Sequence, residues 1–149
     1  RFSALSRTYR YTIFNRPVRT ALSAQERTWI YHPLGEALMQ LGANYLIGEH
    51  DFSSYRAVAC QAHSPVRTIH RLEVWREGEE IIIEVQANAF LHHMVRNIAG
   101  VLIAVGSESH PPEWVGQVLE YRDRTLGGVT APPDGLSLIA VDYPEELLS

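Results

Sequence analysis

Between Val85 and Ser107 the chain carries one formal charge, Arg96, in a stretch dominated by apolar and small residues. Leu91, Met94, Val95, Ile98, Leu102 and Val105 follow the i, i+3, i+4, i+7 spacing of a helix with a buried face. His92, His93, Arg96 and Asn97 interrupt the run, which fits a core helix better than a membrane span. A guanidinium on such a helix either reaches water along its stem or meets a carboxylate inside the protein. No Asp or Glu lies close by in sequence, so the partner of Arg96 must come from elsewhere in the fold or from outside this chain.

The length of 149 residues suits one domain with a real core and is too short for two ordinary ones. A hydrophobic fraction of 46% and a charged fraction of 20% are those of a globular protein. The single Cys60 cannot build a disulfide framework, and the first residues show no secretion signal, so a reducing, cytoplasmic setting without a membrane is the expectation. A first residue other than methionine leads us to expect a piece of a longer protein. The net charge of −4 hides an asymmetry. Residues 1–72 hold nine Arg against four acids, net +5, and residues 73–149 hold four Arg against thirteen acids, net −9. A local positive face docks phosphates even when the total is negative.

Residues 7–14 alternate, with Tyr9, Tyr11 and Ile13 on one face of a strand and Thr8, Arg10 and Thr12 on the other. Residues 33–47 read as a helix that buries Leu34, Leu38, Leu41 and Tyr45, with Gly48 as its cap. Residues 49–65 read mostly as loop. Strands at 66–76 and 79–87 form an antiparallel hairpin through Glu77 and Gly78. Asn88 is placed to cap a long helix at 89–106. A second helix at 112–121 buries Trp114, Val115, Val118 and Leu119. A Gly- and Pro-rich loop at 122–135 precedes a last strand at 136–143. The pattern predicts an α+β domain: a mostly antiparallel sheet with its helices on one face.

His92 and His93, adjacent on a helix, point about 100° apart and lack a ligand at i+3 or i+4, so no metal site is expected there. Cys60 with His63 offers a thiol and a base, although an inert cysteine is far commoner. Asp51 beside His50 could pair as acid and base, but Asp before Phe-Ser-Ser suits an Asx turn. Tyr9, flanked in sequence by Arg7 and Arg10, has the aromatic-among-cations pattern that stacks an unpaired base and holds its phosphates. The same pattern also fits ordinary sheet-core aromatics.

Several long stretches carry a resemblance. Arg1-Phe2-Ser3-Ala4 with Tyr9-Arg10-Tyr11-Thr12-Ile13, Gly48 to Ser54, Ser64 to Ile69, and above all Ala87 to Gly100 resemble the second half of the tRNA pseudouridine synthase A family. Arg122-Asp123-Arg124, Thr130-Ala131-Pro132-Pro133 and Gly135-Leu136 complete the series in order, so that the match runs from Arg1 to Pro144.

The resemblance implies the C-terminal half of a pseudouridine synthase fold, a long sheet of two similar halves with an RNA-binding cleft between them. It implies isomerisation of uridine to pseudouridine in the anticodon stem-loop of tRNA, through a nucleophilic Asp and with no metal or organic cofactor. The partners implied are tRNA, the N-terminal half of the same protein, and a second copy in a homodimer. Tyr9 falls on the family's active-site tyrosine, Arg96 on the basic residue that pairs with the catalytic Asp, and Leu136 on the apolar residue lining the uracil pocket; Arg7 and Arg10 are candidate RNA contacts. The family's Gly-Arg-Thr-Asp-Ala-Gly motif does not occur here, so this chain alone is expected to be inactive. Gly42, Gly127-Gly128-Val129 and Ser137 depart from the pattern more mildly. Two other readings compete: a non-catalytic RNA-binding domain that keeps the fold, and a hydrolase built on His50 and Asp51.

Overall fold

Alternating side chains make the segment β1 (Ser6–Asn15) the axis of a six-stranded sheet. The computed structural model describes residues 4–18, 26–58 and 63–144. Cys60 lies outside the described residues. Tyr11 and Ile13 are fully buried on one face of β1, as period two requires. Against one edge of β1 runs β5 (Glu80–Ala87), antiparallel from Arg7 opposite Ala87 to Phe14 opposite Glu80. Next comes β4 (Val66–Glu77), joined to β5 by a two-residue turn in which Gly78 takes φ 60°, a conformation that favours glycine. The outer strand is β3 (Gly48–Asp51), antiparallel to β4.

The other edge of β1 is shared. β6 (Leu136–Asp142) pairs antiparallel with Ser6–Tyr11, with a register shift between Thr8 and Tyr9. β2 (Thr28–Ile30) pairs parallel with Ile13–Asn15. The sheet is therefore mostly antiparallel. Three helices, α1 (Glu36–Ala43), α2 (Met94–Gly106) and α3 (Glu113–Tyr121), cover one face. Tyr11, Ile13, Ile81, Ile83 and Val85 from the sheet meet Met39, Ile98, Leu102 and Val115 from the helices in one core. This is the α+β architecture expected. No described helix is long and apolar enough to cross a membrane.

The opposite face is closed by arginines. Arg27 lies 4.5 Å from the Phe14 ring centre and Arg10 lies 5.5 Å from that of Trp75. Ion pairs Arg27–Glu80, Arg10–Glu84 and Arg71–Glu84 cross the strands around them. The guanidinium planes cover apolar surface while carboxylates neutralise them.

Several local expectations are corrected. The long helix starts at Met94, not at residue 89, and Asn88 does not cap it. The Asn88 Oδ1 instead accepts from Thr68 N–H and Ala89 N–H, holding the chain as it leaves β5. The residue before α2 is His93, at φ 62°. Helix α1 ends at Ala43 in a tighter turn over Asn44–Leu46, which rotates the buried face onto Met39, Gly42, Ala43 and Leu46. Leu41 and Tyr45 are consequently exposed. Part of the stretch read as loop is β3, and β2 is a strand that the sequence pattern did not show.

Candidate active site

Four separate segments line one cavity of about 520 Å³: Tyr9 from β1, Phe90 to Arg96 from the β5–α2 connection and the first turn of α2, Pro133 from the loop before β6, and Leu136 at the start of β6. Tyr9, Arg96 and Leu136 thus come together, although 87 and 127 positions separate the latter two from the first. The register shift beside Tyr9 is where β6 bends past β1, and such bulges re-aim side chains next to functional sites. Phe90 stands edge-on to Tyr9, ring centres 5.0 Å apart and planes at 87°, and fixes the tyrosine ring on the cavity wall.

Arg96 is held from behind. Its Nε donates to the Ala131 carbonyl at 2.8 Å, and its own carbonyl accepts from Ala131 N–H at 3.1 Å. No carboxylate among the described residues pairs with it, and its two Nη groups have no hydrogen-bond acceptor there. Glu84 is engaged by Arg10 and Arg71, and Asp51 by Ser53. The half of the guanidinium that forms a two-donor fork is left free at the cavity.

The loop that holds Arg96 is itself fastened to α2. Gly100 admits it: a Cβ there would fall 1.7 Å from the Val129 carbonyl oxygen. Arg124 Nη2 donates to Asn97 Oδ1 at 3.0 Å and to Thr130 Oγ1 at 2.6 Å, while Thr130 also donates to Asn97. Asn97, buried, donates in turn to the Tyr55 carbonyl. On the far side, Tyr11 OH donates to the Pro132 carbonyl and accepts from Thr28, both at 2.6 Å. Burial pushes the Tyr11 hydroxyl up to about 12, so it stays a neutral donor that clamps Pro132.

Two of the sequence candidates lie elsewhere. Arg10 is on the sheet face opposite Tyr9, paired with Glu84, and Arg7 does not line the cavity. His92 and His93 stack at 4.0 Å on the rim, and desolvation, with the charges of His92 and Arg96, holds the His93 imidazole below its usual range. Among the described residues no His, Cys, Asp and Glu side chains gather as a metal site. Asp51 Oδ1 caps Ser53 through its N–H and hydroxyl, and His50 Nε2 meets the Ile47 carbonyl; the two make an Asx turn and a strand contact, not an acid–base pair. Sequence reasoning missed Phe90, His92, His93 and Pro133 as cavity walls, although all but Pro133 stand inside the run whose one charge is Arg96.

Comparison with known proteins is consistent along nearly the whole chain. The family model described as tRNA pseudouridine synthase matches residues 43–144. A protein named tRNA pseudouridine synthase A from Methylococcus capsulatus is 60% identical over 146 residues, covering 98% of this chain and 54% of that protein. Its namesakes from Nitrosococcus oceani and Pseudomonas aeruginosa are 57% and 53% identical, with 56% and 51% of their lengths covered. The chain spans about half the length of the curated relatives it matches.

Proposed function

This chain belongs to the tRNA pseudouridine synthase family, and from that premise we propose that it forms the C-terminal half of the catalytic domain of an enzyme that isomerises uridine to pseudouridine in the anticodon stem-loop of tRNA. The observation that carries this reading is the free fork of Arg96 in a cavity shared with Tyr9 and Leu136. A planar cation held by its Nε and open at both Nη groups is prepared for a carboxylate, and the described residues supply none. In this reading the carboxylate is the nucleophilic Asp of the N-terminal half. Arg96 keeps it ionised and aimed at the target uridine, Tyr9 contacts the target base, and Leu136 lines the uracil pocket.

Every described aspartate of this chain has another place. Asp51 and Asp123 cap their own turns, Asp142 accepts from Ser6, and Asp134 is exposed outside the cavity. The chain alone is therefore inactive in this proposal, and activity requires the N-terminal half. A cytoplasmic enzyme acting as a homodimer, without metal or organic cofactor, completes the reading; Arg7 and Arg10 are at most peripheral RNA contacts.

The test is Arg96→Met in the full-length protein, with pseudouridine in tRNA mapped by mass spectrometry. Removing one partner of a buried ion pair costs about 3–5 kcal/mol or drives the carboxylate to protonate. Turnover should collapse while tRNA affinity largely persists, and Arg96→Lys should rescue it only in part, because an ammonium lacks the two-donor fork. Wild-type turnover by Arg96→Met would refute the assignment.

A further inference from the structure

The described arginines differ in how their charge is met. Arg10, Arg16, Arg27, Arg71 and Arg76 are each neutralised by a glutamate. Arg56 and Arg122 have neither an ion pair nor a hydrogen-bond acceptor among the described residues, yet they line one small cavity of about 230 Å³. Arg124 lines it too, held by the neutral acceptors Asn97 and Thr130, which leave its charge intact. The two nearest acids are engaged by neutral donors: Asp51 Oδ1 accepts from Ser53, and Asp123, which lines the same cavity, accepts through Oδ1 from Thr125 N–H and Oγ1. Asp51 feels Arg122 and Arg56 only through space, after burial and its Ser53 bonds. Three cations with no carboxylate bound to them, in a molecule of net charge −4, form a local anion trap.

Its position relates it to the candidate active site. Ala57, on the wall of this cavity, donates its N–H to the carbonyl of His92, on the rim of the other, at 2.9 Å. One hydrogen bond therefore separates the two cavities. The Arg122 backbone, at φ 52° where α3 ends, holds a left-handed conformation usually given to glycine, and throws the side chain off the helix end.

We propose that Arg56 and Arg122, with Arg124 beside them, bind backbone phosphates of the substrate RNA next to the nucleotide whose base enters the Tyr9–Arg96 cavity. The proposal rests on the tRNA-modifying reading above and adds to it the residues that hold the strand. Guanidiniums suit this role because they present paired donors to a phosphate and keep their charge at any relevant pH.

The experiment measures tRNA binding by fluorescence anisotropy across a KCl series, using the full-length protein. Each phosphate that is no longer neutralised lowers the slope of log K against log [salt] by about 0.7–0.9, so Arg56→Gln with Arg122→Asn should make it shallower by roughly 1.4–1.8. Asparagine is chosen at 122 because it tolerates the left-handed conformation. Arg56→Lys with Arg122→Lys, which keeps both charges, should restore the native slope, and Arg71→Gln, on the opposite sheet face, should leave it unchanged. An unaltered slope in the Gln/Asn variant, or an equally shallow one in the Lys/Lys variant, overturns the proposal. Turnover by the native preparation is scored in parallel, so failure of the isomerase reading shows as absent pseudouridine and not as a change of slope.

Discussion

Gly100→Ala tests whether the loop before β6 aims Arg96. A methyl at Gly100 would lie 1.7 Å from the Val129 carbonyl oxygen and 2.9 Å from its carbon, both backbone atoms that cannot rotate away. Carbon and oxygen settle at about 3.3–3.6 Å, so the loop must retreat by roughly 1.5–2 Å. That retreat breaks the pair of bonds between Arg96 and Ala131, of 2.8 and 3.1 Å. A neutral hydrogen bond contributes about 0.5–1.5 kcal/mol and one to a charged group about 1.5–3, against a helix-propensity gain of about 1 for alanine. The net loss is about 1–3.5 kcal/mol, or roughly 2–14 °C in Tm for a domain of this size. Calorimetry of the full-length protein reads the first effect; tRNA turnover, which should fall as Arg96 loses its aim, reads the second. A Gly100→Ala protein that melts at or above the native temperature with full turnover would refute the reasoning, because the propensity gain would then stand unopposed.

Two further perturbations separate roles around the sheet. Tyr9→Phe in the full-length enzyme should lower turnover more than tRNA affinity, since the ring survives and the hydroxyl does not, whereas Tyr9→Ala should also weaken binding by about 1–3 kcal/mol if the ring carries a base; full activity in both would make Tyr9 a packing residue only. Glu84 gives a pH signature: burial acts to raise its pKa, but hydrogen bonds and charge from Arg71 and Arg10 outweigh it and hold the carboxyl below its ordinary value of 4.5. A depressed carboxyl stabilises the fold fully above its unfolded pKa and loses that stabilisation as pH falls through the folded value. Glu84→Gln should therefore melt lower at neutral pH and fall less steeply below about pH 4.5, and melting curves that run parallel across pH would count against the Arg10–Glu84–Arg71 cluster as the cause.

Strong periodicity made the central elements readable. The β4–β5 hairpin, α3 and β6 lie within a residue or two of their expected bounds, because each carries an unbroken period and a clear stop. What stayed hidden was set by tertiary pairing. β2 has three residues and β3 four, too few for a pattern, and each is a strand only because a sheet edge lies beside it. The start of α2 was hidden because the chain turns at the cavity. Residues 89–93 continue the apolar pattern, but Phe90 to His93 line the cavity, and the chain turns there through the Met94 N–H bond to Leu91 and a left-handed His93. The lone charge of Arg96 was visible from the start, and its place in a cavity with Tyr9 and Leu136 needed the fold. Arg56 carries no signal in the sequence, and Arg122 only as part of the Arg122-Asp123-Arg124 stretch, since a free arginine differs from a paired one only in three dimensions.

The contrast between those arginines argues against a purely structural account of the cavity. A fold that needed Arg96 only for stability would be expected to close both ends of its guanidinium, as it does for Arg76, which reaches Glu36, Asn15 and the Leu34 carbonyl. At Arg96 the stem end is fixed and the fork end is open. Ala131 holds the side chain, Gly100 lets Ala131 approach, and the Arg124–Asn97–Thr130 bonds and Tyr11 lock the loop from both sides. Such a support is worth building only around a group that must meet something accurately placed, because the open fork adds nothing to the stability of the chain that holds it. Arg96→Met in this chain alone should accordingly cost no more than its one side-chain bond to Ala131, about 1.5–3 kcal/mol, while the same change in the full-length enzyme removes turnover. A drop in the stability of the isolated chain well beyond that, with turnover kept in the full-length enzyme, would instead make Arg96 a structural residue and detach it from the chemistry.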